Sequence, residues 1–178
     1  QAQYGVCATC HGAQGEGNPL MNAPKLAGQP AWYLKRQVMN YKRGLRGSDP
    51  ADNFGQQMIG MVATLANEQA VDNVVAHIGT FPDSPVDATV EGDVAAGAKS
   101  YAVCAYCHGK DGMGVQALNA PRLQGMSDWY LARQLAAFRD DVRGAHPQDY
   151  YGFQMGLMGQ SARDEQAVND LIAYINTL

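Results

Sequence analysis

Cys7-Ala8-Thr9-Cys10-His11 and Cys104-Ala105-Tyr106-Cys107-His108 are two C-x-x-C-H pentapeptides, and together they use all four cysteines of the 178-residue chain. A C-x-x-C pair alone serves equally as half of a zinc site or as a thioredoxin-like redox pair. Zinc needs several Cys/His ligands converging on one tetrahedral ion, and a redox pair has no use for a histidine in the next position. Two copies, each with its histidine and then a glycine (Gly12, Gly109), instead have the spacing of covalent haem attachment. The expectation is two covalently bound haem c groups, one through Cys7 and Cys10 and one through Cys104 and Cys107. His11 and His108 are then the proximal iron ligands.

Shifting the sequence by 97 residues aligns far more than these motifs. Gly15 and Gly17 meet Gly112 and Gly114, Asn22-Ala23-Pro24 meets Asn119-Ala120-Pro121, and Trp32-Tyr33-Leu34 meets Trp129-Tyr130-Leu131. Arg36-Gln37, Arg46-Gly47, Gln57-Met58 and Glu68-Gln69-Ala70-Val71 also recur. The period is too long for a solenoid repeat, so the chain reads as one domain used twice. We expect a first domain over 1–82, a linker over 83–93 and a second domain over 94–178, because prolines and turn formers interrupt helical periodicity across 80–93. Each copy is short for a self-sufficient core, so a buried haem is expected to supply apolar volume and the apoprotein to fold poorly.

No segment alternates convincingly with period two, which predicts all-α domains. Pro30 to Arg43 carries Leu34, Val38 and Tyr41 at i, i+4 and i+7, and its counterpart follows Ser127, a favourable N-cap. Asn67 and Asp164 are placed to cap the last helix of each copy. A helix from Val94 precedes the second motif. The first copy starts at Gln1, three residues before Tyr4, so several residues of the equivalent helix are expected to be missing.

Of eight methionines, only Met58 with Met155 and Met61 with Met158 recur in register. His77 meets Tyr174 and His146 meets Asp49, so neither histidine is a symmetric sixth ligand. Either methionine of each pair could reach the iron. Met58 and Met155 are favoured because each follows a repeated glutamine and a glycine-containing approach, leaving Met61 and Met158 to pack on the porphyrin. The proximal histidine needs an acceptor for its Nδ1–H, and the carbonyls of Pro24 and Pro121 are the candidates. Haem propionates need donors; Trp32, Tyr33, Arg46, Trp129, Tyr130 and Arg143 are available. Lys25 and Arg122 are also basic and repeated, but are expected to be solvated surface.

These motifs, with P-(K/R)-L-x-G, Y-L-x-x-Q and Met-x-x-Met following C-x-x-C-H-G twice over, resemble the dihaem cytochrome c4 family: two tandem class I cytochrome c domains. The resemblance covers essentially the whole chain. It implies His11 with Met58 and His108 with Met155 as axial pairs, Pro24 and Pro121 as acceptors, and domains related by a pseudo-two-fold axis with propionates turned toward their interface. It also implies a non-enzymatic carrier moving electrons from respiratory donors, such as a quinol-oxidising complex, to a terminal oxidase or another reductase.

The formal net charge is −4, with −1 over residues 1–88 and −3 over 89–178. Such a balance speaks against nucleic acid and provides no polybasic membrane patch. Covalent haem attachment takes place outside the cytoplasm, so a periplasmic protein, free or peripherally held at the membrane, is expected, its targeting signal already removed. Two other functions compete with the free carrier. One is the electron-accepting subunit of a periplasmic dehydrogenase, for example one oxidising a sulfur compound. The other is a dihaem enzyme such as a peroxidase, against which the repeated methionines speak because they close the sixth position.

Overall fold

The computed structural model describes residues 2–178, so the expectation attached to Gln1 lies outside the described residues. Two compact units meet between Pro85 and Val86. The first contains α1 (Gly5–His11), α2 (Ala31–Lys42), α3 (Asn53–Val62) and α4 (Glu68–Ile78). The second repeats the order as α5 (Val94–His108), α6 (Asp128–Arg139), α7 (Tyr150–Gly159) and α8 (Glu165–Ile175). Among the described residues there is no strand, only the isolated bridges Asn18–Ala23 and Val115–Ala120. No helix among them is long and apolar enough to cross a membrane.

Local chemistry sets the helix starts. Asn67 Oδ1 accepts from the Ala70 N–H at 2.9 Å and Asp164 Oδ1 from Ala167 at 2.8 Å, satisfying donors that a helix start leaves open. Asp52 and Asp149 do the same for Gly55 and Gly152, opening the methionine-bearing helices α3 and α7. Helix α6 starts differently from the sequence expectation. Ser127 occupies the N-cap position but its hydroxyl makes no capping bond. The buried Asp128 carboxylate accepts instead from the adjacent Trp129 N–H at 2.6 Å.

Each unit is held by its last helix. Val71, Val74, Val75 and Ile78 of α4 pack with Tyr4, Leu34 and Leu65 in the first core. Val168, Leu171, Ile172 and Ile175 of α8 pack with Tyr101 and Ala162 in the second. Gly97 allows α5 and α8 to touch, since a Cβ there would overlap the Asp170 carbonyl.

The segment expected to be a linker is tied down on both sides of the division. In the first unit, Lys25 Nζ donates to Asp83 Oδ1 at 2.7 Å and to Ser84 O at 2.5 Å. In the second, Asp128 accepts from Thr89 N at 2.6 Å, Thr89 Oγ1 at 2.8 Å and Val90 N at 2.8 Å, while Asn176 Nδ2 donates to it at 3.0 Å. Asp128 thus joins the entry of the unit to the start of α6 and the end of α8.

Burial alone would raise the Asp128 pKa, but its hydrogen bonds from Val90, Thr89 and Asn176 hold it below the ordinary carboxylate value. A carboxyl depressed on folding stabilises above its unfolded pKa of about 4, and that stability is lost as pH falls through the folded value. Asp128→Asn is therefore expected to cost the second unit about 2–3 kcal/mol at pH 7. Urea unfolding should show the gap between variant and parent closing below about pH 4; a gap constant down to pH 3 would contradict the ionised anchor.

Candidate haem sites

The last turn of α1 places Cys7, Cys10 and His11 at i, i+3 and i+4, so the three side chains emerge from one side of the helix. Cys104, Cys107 and His108 end α5 in the same way. The two imidazoles are 6% and 5% exposed, and each Nδ1 lies 2.8 Å from a carbonyl oxygen: Pro24 O for His11, Pro121 O for His108. Burial lowers both histidine pKa values, only partly opposed by the proline carbonyl bond, so the rings are neutral. A carbonyl can only accept, so Nδ1 carries the proton and Nε2 keeps its lone pair. This is the tautomer an iron ligand requires, with the donor bond that fixes ring orientation.

The sulfurs fit the same group. Burial raises the Cys7 and Cys104 thiols above their ordinary pKa. A zinc site needs four such ligands around one ion, and among the described residues no three His, Cys, Asp or Glu side chains converge as a metal cage. A covalent haem, with the cysteines as thioethers and an imidazole under the iron, matches this donor set.

The loop supplying the proline carbonyl is shaped by its turn residues. Asn22 and Asn119 sit at φ 53° and 56°, where a short polar side chain is tolerated. Gly17 (φ +86°) and Gly114 (φ +81°) lie where a Cβ would come within 2.9 Å of the Pro24 carbonyl carbon and 2.6 Å of that of Pro121. Their N–H groups donate to His11 O and His108 O, both at 2.8 Å.

The recurring methionines lie on helices. Met58 and Met61 are three apart on α3 and half-buried; Met155 of α7 is half-buried and Met158 is 40% exposed. Their assignment rests on register with the histidines.

Lys25 and Arg122 are not solvated: both are buried. Lys25 holds the chain after α4, whereas Arg122 donates through Nε to Gln124 O at 2.7 Å and through Nη2 to Gln124 Oε1 at 2.8 Å. Asp83, Ser84 and Gln124 could not be identified as partners from the repeat, because these contacts do not recur between the copies. Arg46 and Arg143 are buried, each donating to a helix glutamine (Gln37 at 2.8 Å, Gln134 at 2.7 Å) while stacking over Tyr41 and Phe138 respectively.

Trp32, Tyr33, Trp129 and Tyr130 are half-buried, and each pair gathers around an arginine missing from the sequence-derived site. Arg36 lies over the Trp32 and Tyr33 rings at 5.0 and 5.3 Å, and Arg133 over Trp129 and Tyr130 at 5.1 and 5.6 Å. Recurrence of Arg36-Gln37 as Arg133-Gln134 was the available signal for them.

Comparison with known proteins places these sites in a family context. The family model for cytochrome c matches residues 1–82 and again 94–178. The chain is 32% identical to the thiosulfate dehydrogenase electron acceptor of Stutzerimonas stutzeri (strain A1501), over 96% of this chain and 79% of that protein. It is 30% identical to a cytochrome c4 of Stutzerimonas stutzeri over 100% of this chain and 87% of the relative. The crystal structure of reduced recombinant cytochrome c4 from Pseudomonas stutzeri matches with a TM-score of 0.71 and 26% identity, covering 99% of this chain and 95% of that one.

The glycines under the proline carbonyls provide a test. Gly114→Ala forces a side chain into left-handed backbone and against the Pro121 carbonyl carbon, at a cost of at least about 1–2 kcal/mol. Displacing the carbonyl weakens the Nδ1–H bond and lowers imidazole donor strength, so the potential of the second haem should rise and that of the first stay fixed. Gly17→Ala should give the reciprocal result. Redox titration of both variants measures it.

Proposed function

This chain belongs to the dihaem cytochrome c4 family of electron carriers, and from that premise we propose that it works in the periplasm, carrying electrons from respiratory donors to a terminal oxidase or another reductase. The observation that supports this reading best is the duplicated, neutral, carbonyl-oriented histidine, His11 on Pro24 and His108 on Pro121 at 2.8 Å. When bound, each haem supplies a one-electron Fe(III)/Fe(II) couple. The chain's own residues tune that couple: buried imidazoles donate through Nε2, and we assign Met58 and Met155 as the sixth ligands. With Met58 and Met155 holding the iron opposite the histidines, thioether sulfur would favour the reduced state and leave no open position for substrate, which supports a carrier. We place propionate contacts at Trp32, Tyr33 and Arg36 and at Trp129, Tyr130 and Arg133, where half-buried indole and phenol groups sit beside a guanidinium.

A second reading has a specific observation behind it. The 32% identity to a thiosulfate dehydrogenase electron acceptor favours this chain as the electron-accepting partner of a sulfur-compound dehydrogenase. Stopped-flow mixing separates the two. A carrier in the respiratory chain is reduced rapidly by a quinol-oxidising complex and oxidised by a terminal oxidase. A dedicated acceptor co-purifies with its dehydrogenase and is reduced rapidly only by it.

The axial assignment is tested by single substitutions. Met58→Ala or Met155→Ala should remove half of the near-infrared sulfur–iron charge-transfer band of the oxidised protein and lower the potential of that haem. Met61→Ala should keep the band and cost roughly 1–2 kcal/mol in denaturant unfolding, less than truncating a fully buried methionine. Met158→Ala should cost less again, since that residue is 40% exposed. Loss of the band in the Met61 or Met158 variants would transfer the ligand role to them.

A further inference from the structure

The carbonyl immediately after each haem-binding histidine is held by a tyrosine from the start of the same unit. Tyr4 Oη donates to Gly12 O at 2.8 Å and Tyr101 Oη to Gly109 O at 2.7 Å. The two tyrosines occupy equivalent positions of the repeat and are 3% and 2% exposed. Burial is the main cause that pushes both phenols up to about 12, so each remains a hydrogen-bond donor across the physiological range.

The place of these bonds matters. Gly12 and Gly109 cap α1 and α5 at φ 85° and 82°, outside helical geometry, so the helix does not set the direction of their carbonyls. The Gly12 N–H still donates to Ala8 O at 3.0 Å, and His11 O accepts from Gly17 N at 2.8 Å. The ring is thus fixed by Pro24 O, the His11–Gly12 peptide by Ala8 O and Gly17 N, and the next peptide, Gly12–Ala13, by the Tyr4 hydroxyl. Packing needs only the aromatic ring, which meets His77 at 5.7 Å and Phe81 at 4.9 Å in the first unit and Tyr174 at 5.3 Å in the second. A phenylalanine would make those contacts equally well, so the hydroxyl serves something else.

We propose that Tyr4 and Tyr101 are positioning residues for the two redox centres: their hydroxyls lock the backbone on which His11 and His108 are mounted, and thereby set the orientation and donor strength of each imidazole. This inference rests on the reading of His11 and His108 as the proximal ligands.

The test is Tyr4→Phe in the full two-haem protein, followed by paramagnetic NMR of the oxidised form and by redox titration. The expected result is displacement of the hyperfine-shifted haem-methyl and ligand-histidine resonances of one haem only, with a shift of that haem's midpoint. Tyr101→Phe should move the other set only. Should Tyr4→Phe yield little holoprotein, Tyr101→Phe on the 15-residue α5 decides by the same readout. Unchanged resonances and midpoints with a lowered Tm would overturn the proposal and leave the hydroxyls a purely structural role. Histidine ring resonances missing from the hyperfine-shifted set of the unsubstituted protein would overturn the ligand reading beneath it.

Discussion

A buried imidazole presented with its lone pair outward is the requirement on which each half of this molecule depends. Water cannot serve the Nδ1–H of a ring 5–6% exposed, and an unpaired buried donor costs about 1–3 kcal/mol. The Pro24 and Pro121 carbonyls meet that need at 2.8 Å, and proline brings no N–H of its own that would also need a partner there. The loop must then return to the helix end within 13 residues. That return accounts for left-handed Asn22 and Asn119, for glycine at 17 and 114, and for the small Ala23 and Ala120 buried between them.

The duplication keeps this geometry and varies what surrounds it. Asp128, with hydrogen bonds from three segments, stands where the first unit has Ala31. Lys25 reaches forward to Asp83 and Ser84, whereas Arg122 in the equivalent place folds back on Gln124. On α7, Tyr150, Phe153 and Leu157 are 72%, 59% and 60% exposed, against Asn53, Gln56 and Gly60 at the matching positions of α3. The histidine mounts thus match in the two copies, while the anchoring of the unit ends and the outer face of the methionine helix differ.

Much of this was legible in the sequence because the repeat acts as an internal control. The pentapeptides and the 3.6-residue spacing of Leu34, Val38 and Tyr41 expose the fold class, and the register of Asn-Ala-Pro exposes the carbonyl acceptors. What stayed hidden was unique to one copy or depended on three-dimensional neighbours. Lys25 and Arg122 read as surface because a lone basic residue usually is, and their burial depends on acceptors 58 residues away in one unit and two in the other. Ser127 has the N-cap position, yet the adjacent Asp128 carries the bonds because its carboxylate can also reach Thr89, Val90 and Asn176.

The two solutions for Lys25 and Arg122 follow from side-chain chemistry. A lysine ammonium is a compact charge with a long stem, suited to a distant carboxylate and carbonyl. The guanidinium is a rigid fork that binds two oxygens of one neighbour side by side, as Gln124 O and Oε1 are bound here. Gln124 in turn donates to the carbonyl of Leu178, so the arginine ties the residues after α8 to the loop carrying Pro121. In both units the basic residue directly after the proline couples the histidine's acceptor loop to the chain that follows the last helix. Each histidine mount is thereby braced against the end of its own unit, which is why a position that looks like an exchangeable surface charge is buried in both copies.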